Sequence, residues 1–185
     1  DLLLNEMDRV ASSLSSSARE VVQFHFGGGS PNFLKPEELE SIVTAVKAKF
    51  HLLPDAEIAI ELHPRTSTPE FCEMVGELGF NRISLGLQDL DPRVQKLINR
   101  NQTFEQTETM VTHLRELGFS HFNFDLIYGL PGQSMEGWTK TLAQVLSLRP
   151  NRLAVYSYAH VPWLKATQRS FKDSDLPPPE MKIRL

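Results

Sequence analysis

The sequence holds one cysteine, Cys72, among 185 residues. That excludes an internal disulfide, and any zinc or iron–sulfur site built from this chain's thiolates alone. Long apolar runs are missing as well. No stretch reaches the roughly 20 residues a membrane-spanning helix needs, and no basic segment leads into an apolar one as in a secretion signal. Neither sign of charge dominates: Lys and Arg number 19 and Asp and Glu 23, a net charge of −4. Such a balance gives no support for nucleic-acid binding through phosphate contacts. The remainder, 41% hydrophobic and 23% charged, is the composition of a globular domain large enough to bury a core. A cytoplasmic location is the expectation.

Five short segments read as strands: Val21–Phe26, Glu57–Leu62, Arg82–Gln88, His121–Tyr128 and Arg152–Tyr158. Helical patterns lie between them, over Lys35–Phe50, Thr68–Leu78, Asp91–Asn99 with Phe104–Leu117, and Ser134–Leu148. Leu3, Met7, Val10 and Leu14 place a further amphipathic helix at the start. Strand–helix alternation implies parallel strands joined by right-handed crossovers, hence an α/β sheet or barrel. Pro31, Pro36, Pro54, Pro64, Pro69, Pro92, Pro131 and Pro150 are expected in connections or at helix starts, where proline is tolerated. Residues 1–171 form one unit on this reading. Residues 172–185, with Pro177-Pro178-Pro179, read as the start of a connection to a missing carboxyl-terminal region, and the opening residues as a truncated amino terminus.

The strands alternate, where the strands of most parallel sheets are almost continuously apolar. Val22, Phe24 and Phe26 oppose Gln23 and His25; Ile58, Ile60 and Leu62 oppose Ala59 and Glu61. Ile83, Leu85 and Leu87 oppose Ser84, Gly86 and Gln88; Phe122, Phe124, Leu126 and Tyr128 oppose Asn123 and Asp125. The apolar face must meet the covering helices, which leaves the polar face for the lumen. A dry lumen lined this way would strand polar groups at roughly 1–3 kcal/mol each. A wide or incomplete barrel filled by a polar ligand and water removes that cost; an open sheet with one wet face is the alternative. Glu61, Gln88 and Asp125, with the glycine run after Phe26, fall toward the carboxyl ends of strands, where α/β folds bind ligands.

Each candidate residue also has a structural reading. Gly27-Gly28-Gly29-Ser30 lets a backbone approach a ligand and offers N–H groups to an anion, but a tight turn explains it equally. Glu61 can grip hydroxyls or an ammonium, or pair with a neighbouring strand. Asp125 needs a buried partner of some kind. Arg100 can hold a carboxylate through two parallel bonds, or simply end a helix in solvent. His25 and His63 obey no metal-ligand spacing, and Cys72 reads as a packed thiol.

Taken together, six segments resemble the oxygen-independent coproporphyrinogen III oxidases, a family of radical S-adenosylmethionine (SAM) enzymes. They are Phe24-His25-Phe26-Gly27-Gly28-Gly29-Ser30-Pro31, Glu57-Ile58-Ala59-Ile60-Glu61, Phe80-Asn81-Arg82-Ile83-Ser84-Leu85-Gly86-Leu87-Gln88-Asp89, Asn99-Arg100-Asn101-Gln102, Asp125-Leu126-Ile127-Tyr128-Gly129-Leu130-Pro131 and Tyr158-Ala159-His160-Val161-Pro162-Trp163. The resemblance implies a partial barrel of about six βα units with its first strand missing here. It implies haem and porphyrin biosynthesis: oxidative decarboxylation of two propionates of coproporphyrinogen III to vinyl groups, giving protoporphyrinogen IX. The implied cofactors are SAM, in one or two copies, and a 4Fe–4S cluster; an electron donor and acceptor are implied but not identified.

Carried over position by position, Gly28, Gly29, Ser30, Glu61, Gln88, Arg100, Asp125 and Ala159 match the family's SAM-contacting positions. No catalytic residue is assigned. Ser30 replaces the family's usual threonine, and the three-cysteine cluster motif is absent, so the chain supplies no metal ligands and is expected to be inactive alone. A haem chaperone of the same superfamily and a non-catalytic α/β binding domain are the competing readings.

Overall fold

The structure is a computed structural model and describes residues 2–185. Its elements follow in alternation: α1 (Leu2–Ser13), β1 (Glu20–Phe26), α2 (Pro36–Lys49), β2 (His51–Leu62), α3 (Pro69–Glu77), β3 (Arg82–Gln88), α4 (Pro92–Leu97), α5 (Phe104–Glu116), β4 (His121–Tyr128), α6 (Met135–Ser147), β5 (Arg152–Ser157) and α7 (Pro179–Arg184). The strands stand in one sheet in chain order, β1-β2-β3-β4-β5. The pairs β1–β2 and β4–β5 are parallel, as the helical crossovers require. No helix among the described residues is long and apolar enough to cross a membrane.

Helix boundaries follow local chemistry. Pro36, Pro69 and Pro92 open α2, α3 and α4, where a missing N–H costs nothing. Thr68, Asp91 and Ser134 cap α3, α4 and α6 by accepting the N–H groups of Phe71 (3.2 Å), Arg93 (2.8 Å) and Gly137 (3.1 Å). Gly79 and Gly118, at φ +88° and +95°, turn the chain out of α3 and α5 as left-handed caps do.

The contacts divide the chain into two compact units. The first comprises residues 1–84 and 114–120. Its buried apolar residues include Leu39, Val43 and Val46 of α2, Ile60 and Leu62 of β2, Phe71 and Val75 of α3, and Ile83 of β3. Phe24 stacks on Phe80 with ring centroids 6.3 Å apart. Each such apolar side chain, fully buried, contributes about 1.5–3 kcal/mol.

Two expectations fail at β2. The strand begins at His51, six residues before the expected Glu57, and so contains Pro54. Register explains both. Val21 pairs with Leu52 and Gln23 with Glu57, so β1 advances two residues while β2 advances five. Pro54 sits in this bulge, where no ladder bond asks for its missing N–H. Val22, expected under the helices with Phe24 and Phe26, falls opposite the bulge and is 68% exposed.

The second unit comprises residues 85–113 and 121–185. Phe122, Phe124 and Leu126 alternate with half-buried Asn123 and Asp125 along β4, as the sequence pattern requires. Trp138 and Val145 of α6 are buried with them. Residues 172–185 pack in this unit: Gly132 N–H donates to the Asp175 carbonyl (2.8 Å) and Trp138 Nε1 to that of Leu185 (2.8 Å). β5 ends at Ser157, one residue short of expectation, although Tyr158 N–H still bonds the Tyr128 carbonyl at 2.8 Å.

Candidate cofactor site

In the first unit the glycine run leaves β1 and meets the end of β2. Gly28 and Gly29 hold φ of +81° and +94°, and a Cβ built on either has nothing within 4 Å. Here the backbone is bare, left-handed and open, a cradle that side chains would fill. Ser30 follows, half-buried and extended, before a short 3₁₀ turn at Pro31–Phe33.

Glu61 ties the cradle down. Its Oε2 accepts the Gly28 N–H at 3.3 Å, and its Oε1 lies 3.3 Å from His25 Nε2. Glu61 therefore bonds to the neighbouring strand, as its structural reading has it, and stands beside the open glycines. Gly27 is the residue the sequence undersold. A Cβ there would strike His25 Nε2 and lie 2.7 Å from Glu61 Oε1. Lower on the same face, Arg82 Nε meets Glu57 Oε2 at 2.7 Å, and Gln23 Nε2 donates to Glu57 Oε1 at 3.1 Å.

In the second unit, Gln88 and Arg100 converge on Gly86. A Cβ on Gly86 would lie 3.0 Å from an Arg100 guanidinium nitrogen and 3.1 Å from Gln88 Nε2, and that guanidinium donates to the Gly86 carbonyl. Arg100 is thus no solvent-facing helix end. Asp125 lies midway along β4 and accepts from Asn123 Nδ2 at 2.9 Å. Ala159 sits in the loop after β5, which Gln168 clamps. Gln168 Nε2 donates to the Ala159 carbonyl (3.1 Å) and its Oε1 accepts the Val161 N–H (2.5 Å). A cleft of about 190 Å³ between α4, α5 and α6 includes Asp91, Phe104 and Lys140 among its walls and none of these candidates.

SAM presents an ammonium, a carboxylate, ribose hydroxyls and an adenine edge. Bare glycines beside a carboxylate suit it, as do an amide and a guanidinium sharing one glycine. The cluster is different. Among the described residues no three His, Cys, Asp or Glu side chains converge to hold a metal ion. Cys72, 1% exposed in α3, has its thiol pushed up to about 11 by burial, with Glu70 and Glu73 adding to the shift. A thiol so disfavoured as thiolate is a poor iron ligand, and no cluster chemistry is derived from this chain.

The family model of the radical SAM superfamily matches residues 1–145. The chain therefore belongs to the radical SAM superfamily, whose cofactors are SAM and a 4Fe–4S cluster. Within it, the chain is 45% identical over 185 residues to the oxygen-independent coproporphyrinogen III oxidase of Helicobacter pylori (strain J99), covering 100% of this chain and 39% of that protein. It is 42% identical over 169 residues to the Escherichia coli (strain K12) protein of that name, covering 91% and 37%. The solved coproporphyrinogen III oxidase of Escherichia coli, described as a radical SAM enzyme, superposes with a TM-score of 0.91 at 40% identity, over 98% of this chain and 41% of that one. That likeness fixes the fold as the parallel α/β, partial-barrel class expected from the sequence. The chain spans about two fifths of the length of the curated relatives it matches.

Proposed function

We propose that this chain is the SAM-binding portion of an oxygen-independent coproporphyrinogen III oxidase. The activity is that of an oxidoreductase of porphyrin biosynthesis, turning two propionates of coproporphyrinogen III into vinyl groups with loss of carbon dioxide. Relatives of that name match along the whole chain. The observation that carries the reading is the open left-handed pair Gly28–Gly29, fastened by its N–H to Glu61 at the end of the next strand.

On this reading Gly28, Gly29, Ser30 and Glu61 contact SAM, and so do Gln88, Arg100, Asp125 and Ala159. The glycine N–H groups suit the methionyl carboxylate, and Glu61 an ammonium or ribose hydroxyls. The chain takes one SAM molecule or two on this reading. SAM, when bound, supplies the hydrogen-abstracting chemistry; the chain's own residues bind and orient it. Residues 1–171 make up the barrel portion and residues 172–185 begin the connection that follows. A single buried thiol suits the reducing cytosol.

The test has two arms. Isothermal titration of the chain with SAM should show saturable binding that Gly29→Val and Glu61→Gln each weaken. A chimaera carrying this chain in place of the matching residues of the Escherichia coli relative should convert coproporphyrinogen III to vinyl products under anaerobic, reducing conditions. A chimaera that binds SAM and leaves coproporphyrinogen III unchanged would sink the substrate assignment.

A further inference from the structure

The backbone at Gln88 is strained, and the structure shows what holds it. Gln88 has φ +66°, and across it the Asp89 N–H donates to the Leu87 carbonyl at 2.8 Å. A bond from residue i+2 back to i over a positive φ is the rarer and more strained form of γ-turn. No glycine relieves it. Strain of this kind persists only where the surroundings over-determine the conformation.

The surroundings here are a buried amide and a buried carboxylate. Gln95, 2% exposed in α4, donates from Nε2 to the Leu87 carbonyl (3.1 Å) and to the Asp89 carbonyl, the two that flank Gln88. Its Oε1 accepts the Gln102 N–H at 3.0 Å, and its backbone carbonyl accepts the Arg100 N–H at 2.9 Å. Asp89, wholly buried, accepts from Asp91 N–H (2.7 Å), Thr141 Oγ1 (2.6 Å) and Gln133 Nε2 (2.5 Å). Gln133 keeps that polarity because its Oε1 accepts the N–H groups of Gly129 (2.6 Å) and Leu130 (3.2 Å). Every donor has a direction, and none can be reversed alone.

We propose that Gln95, backed by Asp89, is a positioning residue that holds Gln88 in its strained turn and so aims the Gln88 amide at SAM. The inference rests on the SAM-binding reading above. Gln95 touches no ligand in this scheme. It works through the backbone on either side of Gln88, and it sets the stretch that bears Arg100 from the same side chain. An apolar or acidic residue at 95 cannot donate to both carbonyls, so the turn relaxes and the Gln88 side chain leaves its line.

The test is a double-mutant cycle on SAM affinity in the 185-residue chain, read by isothermal titration. Gln95→Met should lower affinity about tenfold, the effect of one misplaced hydrogen-bonding partner. In a Gln88→Gly background, where the strain and the amide are both gone, the same change should cost less than about threefold. Hydrogen exchange should show the Asp89 amide opening faster in Gln95→Met and not in Asn81→Ala, a control that removes a backbone-bonded side-chain amide from the other unit. If Gln95→Met does not fold, Asp89→Asn takes its place in the cycle with the same expectation. Equal losses in both backgrounds, or undiminished affinity, would overturn this role while leaving the site intact. A wild-type chain that does not bind SAM overturns the site reading and this inference with it.

Discussion

Gly27 shows how one hydrogen atom can decide a site. Its two neighbours in sequence supply the open cradle, yet Gly27 itself faces His25 and Glu61 with no room for a methyl group. Gly27→Ala should therefore push Glu61 off the Gly28 N–H. The stability cost should stay below about 1 kcal/mol, since both clashing atoms end half-exposed side chains that can swing aside, while SAM affinity falls; urea unfolding and titration read the two. Cys72 offers a pH test. Unfolded, its thiol titrates near the ordinary 9.0; folded, at about 11. Between those values the folded chain keeps a proton that the unfolded chain releases, so its contribution is whole below pH 9 and drains away as pH rises toward 11. The limit is on the order of 2 kcal/mol. Urea midpoints of wild type and Cys72→Ala, compared at about pH 8 and about pH 10.5, should converge at the higher pH.

At the scale of elements, two asparagines do the same work in different units. Asn81, just before β3, donates from Nδ2 to the Ala56 carbonyl (2.8 Å) and accepts the Ile58 N–H on Oδ1 (2.8 Å). Asn151, just before β5, accepts the Phe122 N–H on Oδ1 at 2.9 Å and donates its own N–H to the Phe122 carbonyl at 3.0 Å. Each sets the register of the strand it precedes against the strand before it. Asn81→Ala should cost about 1–3 kcal/mol in urea unfolding by leaving a strand carbonyl and N–H without partners, and Asn151→Ala should cost less, because its backbone N–H still bonds the Phe122 carbonyl and only the Phe122 N–H loses its partner. Strand positions were legible because period-two alternation survives wherever the ladder is regular, and β3 and β4 begin and end where the pattern does. The pattern broke where the ladder broke, at Pro54 and Val22. Gln95, Gln133 and Gln168 were invisible for a different reason. A glutamine reads as a surface residue until its burial is known, and nothing in spacing announces that both ends of its amide are used.

For the molecule as a whole, the sequence made the proposed cofactor residues visible and concealed how they are held. Glycines, Glu61 and Gln88 carry recognisable chemistry at strand ends and Arg100 just past α4, whereas the turn at Gln88 needs coordinates to show its sign of φ. The single cysteine supports a whole-chain prediction as well. Anaerobic incubation with iron, sulfide and reductant should leave this chain without a stoichiometric four-iron centre, as read by iron and sulfide assay and by electron paramagnetic resonance. A full centre would mean that ligands other than those described come together. The slack in β2 has an evolutionary corollary. Because five residues there span what two span in β1, small insertions and deletions around Leu53-Pro54-Asp55 can be absorbed locally, without sliding Glu61 along its track. Length variation between homologues should accordingly collect at that spot and be purged from the six positions that follow it.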